Sequence, residues 1–438
     1  MLFTSTRNNQ LIVPFSTAVK SCIPEDGGVF VPSASSIEDL RRWVYYIDET
    51  TPFSSIAGTL TSAFIQDEFS PIICETIATS AFPFEPVVKQ LDEHLFCMEL
   101  FHGYTGCHRD FGVSYLCSYL ETTSELNGGN TLFVEYTNGE LGALLSKVLK
   151  GKKHIKAVLV YKKGTVRGLT EDDYVWNGGN IFPVEMEGSE KEIKDAIREI
   201  FSDREFVKAH NLSLANTTNI GRLLAQVFYF PYAFAQVKHK VDGDIFYALD
   251  AGNYSTLVAG LYSWRFALPL NGFYLPSTSA LFMNVAENPV VMDSVVDFDK
   301  RQSANPVDPA NLERLESFFG KHNPMLRSFV TPVPVSERDR EKAAKELFIK
   351  YGVFAEQSTA SAYATIQQNT GTVYSDDDNY ILISQKHPCL SIDYCRHVIG
   401  EVPQIPDNIR ESLVPVHLGR EAISSADELK KIAENCSR

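Results

Sequence analysis

The chain has 438 residues, 44% of them apolar and 22% charged, and its 40 basic and 55 acidic side chains give a formal net charge of −15. This composition is typical of folded globular proteins, argues against disorder and coiled coil, and at this length predicts two or three domains. Nucleic acid is an improbable partner for so acidic a chain without a basic stripe, and no apolar run is long enough to predict a membrane span.

The sixty residues that follow Pro32 are rich in aromatic side chains and largely helical in pattern. Residues 15–20 predict a short helix, residues 24–28 a turn and residues 29–31 a strand. We therefore expect an N-terminal subdomain over residues 1–95.

Strands and helices alternate from residue 131 onward. The first predicted strand–helix–strand unit comprises residues 131–136, 143–149 and 155–161, and the second comprises residues 244–249, 257–266 and 272–275. Because two strands joined through a helix usually run parallel, this pattern predicts an α/β architecture with parallel sheets.

Two later helices have recognisable ends. Asp308 is predicted to cap a helix that starts at Pro309 and stops before Gly320. Ser336 and Asp339 resemble a capping box for a helix that ends at Gly352, although this box prefers Glu or Gln at its last position.

Three loops have the composition of a ligand site. Loop 250–256 lies between a predicted strand and helix, where its backbone amides and hydroxyls suit a phosphate group, and a plain turn is the alternative. Segment 99–110 ends in polar residues ahead of an apolar helix predicted over residues 113–120, and these residues form either a site or an ordinary helix cap. Residues 384–388 follow a predicted strand at the end where open α/β sheets place ligands.

Cysteines and histidines provide little further evidence of chemistry. The eight cysteines form no CxxC pair and no secretory signal opens the chain, which predicts reduced thiols and a cytoplasmic location. Cys107 beside His108 suggests a nucleophilic pair, but adjacent residues usually point apart. No metal-binding spacing is present, so no metal site is predicted.

Taken in order, these stretches resemble threonine synthase, a family of pyridoxal-phosphate enzymes of fold type II. ELFHG at 99–103, TNGELG at 137–142, NTTNIGR at 216–222, GNY at 252–254 and SQKHP at 384–388 are similar to the family motifs ELFHGPTLAFKD, TSGDTG, NSINxxR, GNFG and STAHP. The resemblance is colinear from residue 5 to about residue 390. It implies two αβα domains after the N-terminal subdomain, a smaller one at 96–230 and a larger one at 231–438.

The resemblance also implies which residues form the site. Those expected to bind pyridoxal phosphate are Gly252, Asn253, Tyr254, Ser255, Thr256 and Gln385. Those expected to bind a small phosphorylated, amino-acid-like ligand are Thr137, Asn138, Gly139, Glu140, Asn216 and Arg222.

The main departure from the family falls on its reactive lysine. In the FKD triplet that lysine binds the cofactor covalently and moves protons, and the matching triplet here is His108, Arg109 and Asp110. A guanidinium stays protonated near neutral pH, so Arg109 offers no neutral amine for this chemistry. Glu140 replaces the Asp of TSGDTG, and Gln385 replaces the Thr that contacts the pyridine nitrogen in the family.

Three hypotheses follow. In the first, the fold and pocket persist without normal lysine-dependent catalysis, as in a ligand-binding or regulatory relative. In the second, the chain is an active threonine synthase that converts O-phosphohomoserine and water to threonine and phosphate, with Lys162, Lys163 or Lys386 as the base. In the third, Arg109 clamps the phosphate or carboxylate of a small ligand. The chemistry of Arg109 favours the first hypothesis, followed by the third and then the second.

Overall fold

The computed structural model describes residues 1–33, 39–65, 68–176, 178–291, 296–297, 300–319, 323–369 and 377–437. In chain order the strands are β1 Leu2–Ser5, β2 Val13–Pro14, β3 Phe30–Pro32, β4 Val87–Gln90, β5 Leu95–Glu99, β6 Thr131–Tyr136, β7 Ile155–Lys162, β8 Ile181–Met186, β9 Leu212–Ser213, β10 Ile245–Ala248, β11 Gly272–Pro276, β12 Leu281–Met283, β13 Pro289–Val291, β14 Val330–Val333 and β15 Asn379–Ser384. The helices are α1 Phe15–Ser21, α2 Arg41–Val44, α3 Phe53–Ile65, α4 Pro71–Ala81, α5 Arg109–Asn127, α6 Glu140–Val148, α7 Glu190–Ser202, α8 Arg204–Ala209, α9 Ile220–Leu224, α10 Tyr229–Val237, α11 Ser255–Arg265, α12 Leu312–Phe319, α13 Asn323–Phe329, α14 Glu337–Tyr351, α15 Gln357–Asn369, α16 Ile392–Val398, α17 Asp407–Ser412 and α18 Ala426–Ser437.

The larger sheet has six strands in the order β14-β11-β10-β15-β5-β4, all parallel except the edge strand β4. Successive side chains of a strand point to opposite faces. In β15, Leu382 packs in the cluster formed with α14 and α15, whereas Ile381 and Ile383 pack in the cluster that includes α10 and α11. Both faces are therefore covered by helices, as a parallel sheet requires.

The smaller sheet has four parallel strands in the order β8-β7-β6-β9. Val134 of β6 packs with α7 and α18 on one face, and Phe133 packs with α5 and α6 on the other. The predicted α/β fold with two αβα units is thus confirmed, and both strand–helix–strand units occur at their predicted places.

The N-terminal region packs against helices α5 and α10. Strands β2-β1-β3 form a small antiparallel sheet, and α3 and α4 pack against α5. Phe53 of α3 lies fully buried with its ring 5.4 Å from Phe111 of α5 and 5.4 Å from Tyr232 of α10. This aromatic contact joins the N-terminal layer to both later regions.

The sheets do not follow the proposed boundaries at residues 95 and 230 strictly. The first boundary falls inside β5, which pairs with β15 of the larger sheet, and α18 from the chain end packs on the smaller sheet. Segments of the chain therefore pass from one αβα unit to the other. The three-part division itself stays a prediction.

The two helix-end predictions had different outcomes. Ser336 and Asp339 form the capping box of α14, and Gly352 ends that helix at a φ of 68°, so this prediction is confirmed. The start at Pro309 is wrong, because Asn311 has a φ of 57° and α12 begins only at Leu312. Gly320 lies outside the described residues.

The described helices include none with the length and apolarity needed to cross a bilayer. All eight cysteines are free thiols and all are buried.

Candidate functional site

A cleft of about 540 Å³ lies between the two sheets, at the carboxyl ends of β6, β10 and β15. This is the place at which open α/β sheets bind ligands. The predicted site residues that line it are Arg109, Thr137, Asn138, Asn216, Arg222, Gly252, Asn253, Tyr254, Ser255, Thr256 and Gln385. Gly139 and Glu140 do not line the cavity, but Glu140 forms an ion pair with Arg109, which does.

One end of the cleft is formed by the loop 250–256, which joins β10 to α11. Gly252 and Tyr254 both adopt left-handed conformations, with φ of 46° and 61°. The chain thereby turns sharply into α11, an eleven-residue helix that begins at Ser255. The first-turn amides of a helix have no acceptor within it and carry the positive end of its dipole, so this end of the cleft suits an anion.

Neutral side chains complete the loop. The Thr256 hydroxyl donates to Gln226 Oε1 at 2.8 Å and accepts from Gln385 Nε2 at 3.1 Å. Asn253 Nδ2 donates to Thr217 Oγ1 at 2.9 Å. Gln226 and Thr217 were not among the predicted site residues, although Thr217 lies within the NTTNIGR motif and Gln226 follows it in a short helix.

A fully buried arginine holds this loop from behind. Asn311 Nδ2 donates to the Asn253 carbonyl at 3.0 Å, and Arg314 Nη1 donates to Asn311 Oδ1 at 2.6 Å. The same guanidinium also reaches the carbonyls of Thr217 and Thr218. The loop is therefore fixed by hydrogen bonds that do not depend on a bound ligand.

The opposite end of the cleft is charged. Arg109 is the first residue of α5, and its Nη1 lies 3.0 Å from Oε2 of Glu140, the first residue of α6. Burial alone would raise the pKa of Glu140, but the positive charges of Arg109, Lys386 and Arg167 outweigh it and lower that pKa. Glu140 is therefore ionised at neutral pH and occupies part of the hydrogen-bonding capacity of Arg109.

Cys107 and His108 do not form an activated nucleophile. The Cys107 Sγ lies 3.6 Å from His108 Nδ1. Burial raises the pKa of the Cys107 thiol, and burial together with the charge of Arg109 lowers the pKa of His108 to about 3. At neutral pH the pair is a thiol beside an uncharged imidazole, which is not the thiolate that nucleophilic attack needs.

The floor of the cleft contains a buried carboxyl group that sequence reasoning missed. Glu135 Oε1 accepts a hydrogen bond from the Ala215 amide, and Arg222 Nη1 donates to the Ala215 carbonyl at 2.8 Å. Burial raises the pKa of Glu135 to about 7. Burial and the charge of Arg109 lower the pKa of Arg222 to about 10, which leaves it protonated at neutral pH.

The three lysines named as candidate bases have different positions. Lys162 and Lys163 are exposed and do not line the cleft, and Lys163 Nζ pairs with Glu187 at 2.6 Å. Lys386 lines the cleft, next to Gln385. Its backbone forms an antiparallel bridge with Cys107, which brings the 384–388 and 99–110 segments together.

Comparison with known proteins establishes the family. The model of the pyridoxal-phosphate dependent enzymes matches residues 76–385, which is more than half of the chain. The chain belongs to this family. It is 26% identical over 422 residues to a threonine synthase of Buchnera aphidicola from Schizaphis graminum, with 94% of each chain covered.

Solved structures agree on the fold. The threonine synthase of Escherichia coli superposes with a TM-score of 0.78 at 23% identity, covering 99% of this chain and all of that one. A threonine synthase of Brucella melitensis with bound pyridoxal phosphate gives 0.79 at 17% identity, covering all of both chains. The chain is thus a threonine synthase-like member of the family with the fold type II architecture.

The described residues fit the phosphate end of the family cofactor. The amides at the start of α11 and the hydroxyls of Ser255 and Thr256 face one end of a cleft of suitable size. Gly252 leaves open space, because a Cβ there would meet no heavy atom closer than 3.8 Å. The other end of the cleft presents Arg109 and Lys386 to whatever the loop holds.

Proposed function

We propose that this threonine synthase-like protein binds pyridoxal phosphate, or a small phosphorylated amino-acid-like ligand, without the normal lysine-dependent catalysis of its relatives. The observation that carries this proposal is Arg109. It stands at the position that the FKD motif gives to lysine, and it is paired with Glu140 at 3.0 Å in the cleft whose other end is the phosphate-type loop.

The residues of the loop have distinct tasks in this proposal. The amides that open α11 would hold the phosphate, and the Ser255 and Thr256 hydroxyls, which donate to Gln226, line that end of the cleft. Asn253 and Gln226 position them through the hydrogen bonds already described. When bound, pyridoxal phosphate supplies a ring that withdraws electrons from substrate carbons.

Arg109 accounts for the loss of turnover. Its guanidinium is always protonated, so it cannot accept a proton from a substrate carbon near neutral pH. Its side chain is 25% exposed and faces the cleft, so the N–H groups not used by Glu140 can bind a carboxylate or phosphate. This is the clamp of the third hypothesis, and it is compatible with a binding function.

Two measurements on one pair of proteins test the proposal. Pyridoxal phosphate binding is followed by fluorescence titration, and threonine formation from O-phosphohomoserine is assayed with added cofactor. We expect the natural protein to bind and to form no threonine. We expect Arg109→Lys to bind and regain turnover, since lysine keeps the charge beside Glu140 and its amine, unlike a guanidinium, can lose a proton. Threonine formation by the natural protein, or absence of binding, would overturn the proposal.

A further inference from the structure

Lys386 is a second departure from the family motifs in the same cleft. In the resemblance of SQKHP to STAHP, it stands where the family has alanine. The chain therefore has arginine at the motif position of the reactive lysine and gains a lysine on the neighbouring segment. Both side chains line the same cavity.

Backbone geometry brings the two segments into direct register. The His108 amide donates to the Gln385 carbonyl at 2.7 Å, and the His387 amide donates to the Gly106 carbonyl at 2.8 Å. Cys107 and Lys386 are thus the non-hydrogen-bonded pair of a short antiparallel ladder, in which the Cα atoms lie only about 4.5 Å apart and the side chains share a face.

The ammonium group of Lys386 is available. The part of the chain described by the structure gives it no hydrogen bond and no carboxylate within ion-pair distance. Glu140, a carboxylate whose pKa the charge of Lys386 helps to lower, is engaged by Arg109. By contrast, Lys194, which also lines the cleft, is held by Glu190 at 2.7 Å and by Asp308 at 2.8 Å.

The positive charge of Lys386 acts on the end of the cleft that contains Arg109 and Glu140. The positive charge of Lys386 contributes to lowering the pKa values of Glu140 and His108, which flank Arg109. It also acts on Asp250, at the start of the phosphate-type loop. The charge of Lys386 is therefore felt at both ends of the cleft.

We propose that Lys386 captures the aldehyde of pyridoxal phosphate held by the 252–256 loop. The neutral ε-amine adds its nitrogen lone pair to the carbonyl carbon, the carbonyl oxygen leaves as water, and a C=N bond remains. The proton lost by the ammonium goes to solvent, and no oxidant or reductant takes part. This inference rests on the proposed binding function.

The position of Lys386 separates covalent retention from turnover. The amine comes from the 384–388 segment, which is bridged to Cys107, whereas Arg109 occupies the first turn of α5. A ligand can thus be held covalently while the place from which protons would be moved stays occupied by a guanidinium. The cleft becomes a covalent binding site for a phosphorylated aldehyde.

The test traps the bond and locates it. The full-length protein is incubated with pyridoxal phosphate at equal concentration, reduced with borohydride, digested and analysed by mass spectrometry. We expect the reduced adduct on the peptide that contains Lys386. We expect Lys386→Met to lower adduct formation by at least about tenfold. Among the described residues, Lys386 carries the only amine in the cleft that has no ion-pair partner. Lys194→Met is the matched control and should keep the adduct at Lys386.

Two ligand controls separate this inference from the proposed function. Pyridoxamine phosphate has the same ring and phosphate but no aldehyde, so it should bind and leave no adduct. Pyridoxal without phosphate should give much less adduct at Lys386. Reversible binding of pyridoxal phosphate with no adduct at Lys386, or with adduct spread evenly over surface lysines, would overturn the inference alone. Absence of any binding would overturn both.

Discussion

The two ends of the cleft are formed by different kinds of chemical group. The loop at 252–256 offers backbone amides, hydroxyls and carboxamides, supported by Asn311 and the buried Arg314. The opposite end consists of ionised side chains, chiefly Arg109, Glu140 and Lys386. A backbone site persists as long as the fold persists, whereas a charged site changes with one substitution. The same scaffold can therefore keep its ligand and lose its reaction.

The largest effect is expected from a charge placed at the neutral end. Ser255→Asp puts a carboxylate at the first position of α11, where a ligand phosphate would sit, so affinity for pyridoxal phosphate should fall at least about 100-fold, or ~2.7 kcal/mol. Fluorescence titration measures this. Ser255→Ala is the control and should change affinity by about threefold or less. Equal affinity in the Asp variant would show that the ligand is held elsewhere.

At the charged end, the expected effect is on stability. Arg109→Met leaves the mostly buried Glu140 without its ion-pair partner, which should lower the free energy of unfolding by about 1–3 kcal/mol. Urea denaturation measures it. In the double variant with Glu140→Gln, most of this loss should be recovered, because no uncompensated charge remains. Strict additivity of the two changes would contradict the importance of this pair.

Glu135, at the floor of the cleft, should make the free energy of unfolding depend on pH. The pKa of Glu135 is raised to about 7 in the folded protein from an ordinary value of 4.5, so its neutral form favours the fold. The stability it contributes is therefore complete below pH 4.5 and declines as pH rises towards 7. Glu135→Gln should flatten the difference in unfolding free energy between pH 5 and 8. An unchanged pH profile would indicate an ordinary pKa for Glu135.

The smallest effect is expected outside the cleft. Lys163→Met removes an exposed ion pair with Glu187 and should change the free energy of unfolding by less than about 1 kcal/mol. It should leave both ligand affinity and the adduct at Lys386 intact. A marked loss of binding would show that the exposed lysines take part in the site after all.

Local sequence patterns predicted the strands better than the helix that carries Arg109. Strands β6, β7 and β10 are apolar, β-branched runs between turns, and their predicted bounds agree with the structure within a residue or two. Helix α5 extends over Arg109–Asn127, well beyond its apolar segment at 113–120. Two of its buried polar residues find their partners in other segments: Ser118 donates to the Ile77 carbonyl, and Glu121 accepts from the Lys153 amide. Such long-range partners leave no local signal.

At the candidate site too, contacts between residues distant in sequence limit what the sequence can predict. Motif resemblance named residues from five separate segments, and the fold brings them to one cleft, although their individual roles stay predictions. It did not name Gln226 or Glu135, because each acts on the site through a partner distant in sequence. It also could not choose among Lys162, Lys163 and Lys386, a choice that depends on which lysine faces the cavity.

The side chain of Arg314 connects the cleft to segments that lie far apart in the sequence. Its guanidinium donates to carbonyls of Phe30, Thr217 and Thr218 and to Asn311 Oδ1, which binds together segments nearly three hundred residues apart. Contacts of such wide sequence separation form slowly during folding. The loop at 252–256 is therefore completed only after both chain halves have met. A fragment that lacks the N-terminal strands would lose ligand binding even though none of its cleft residues is missing.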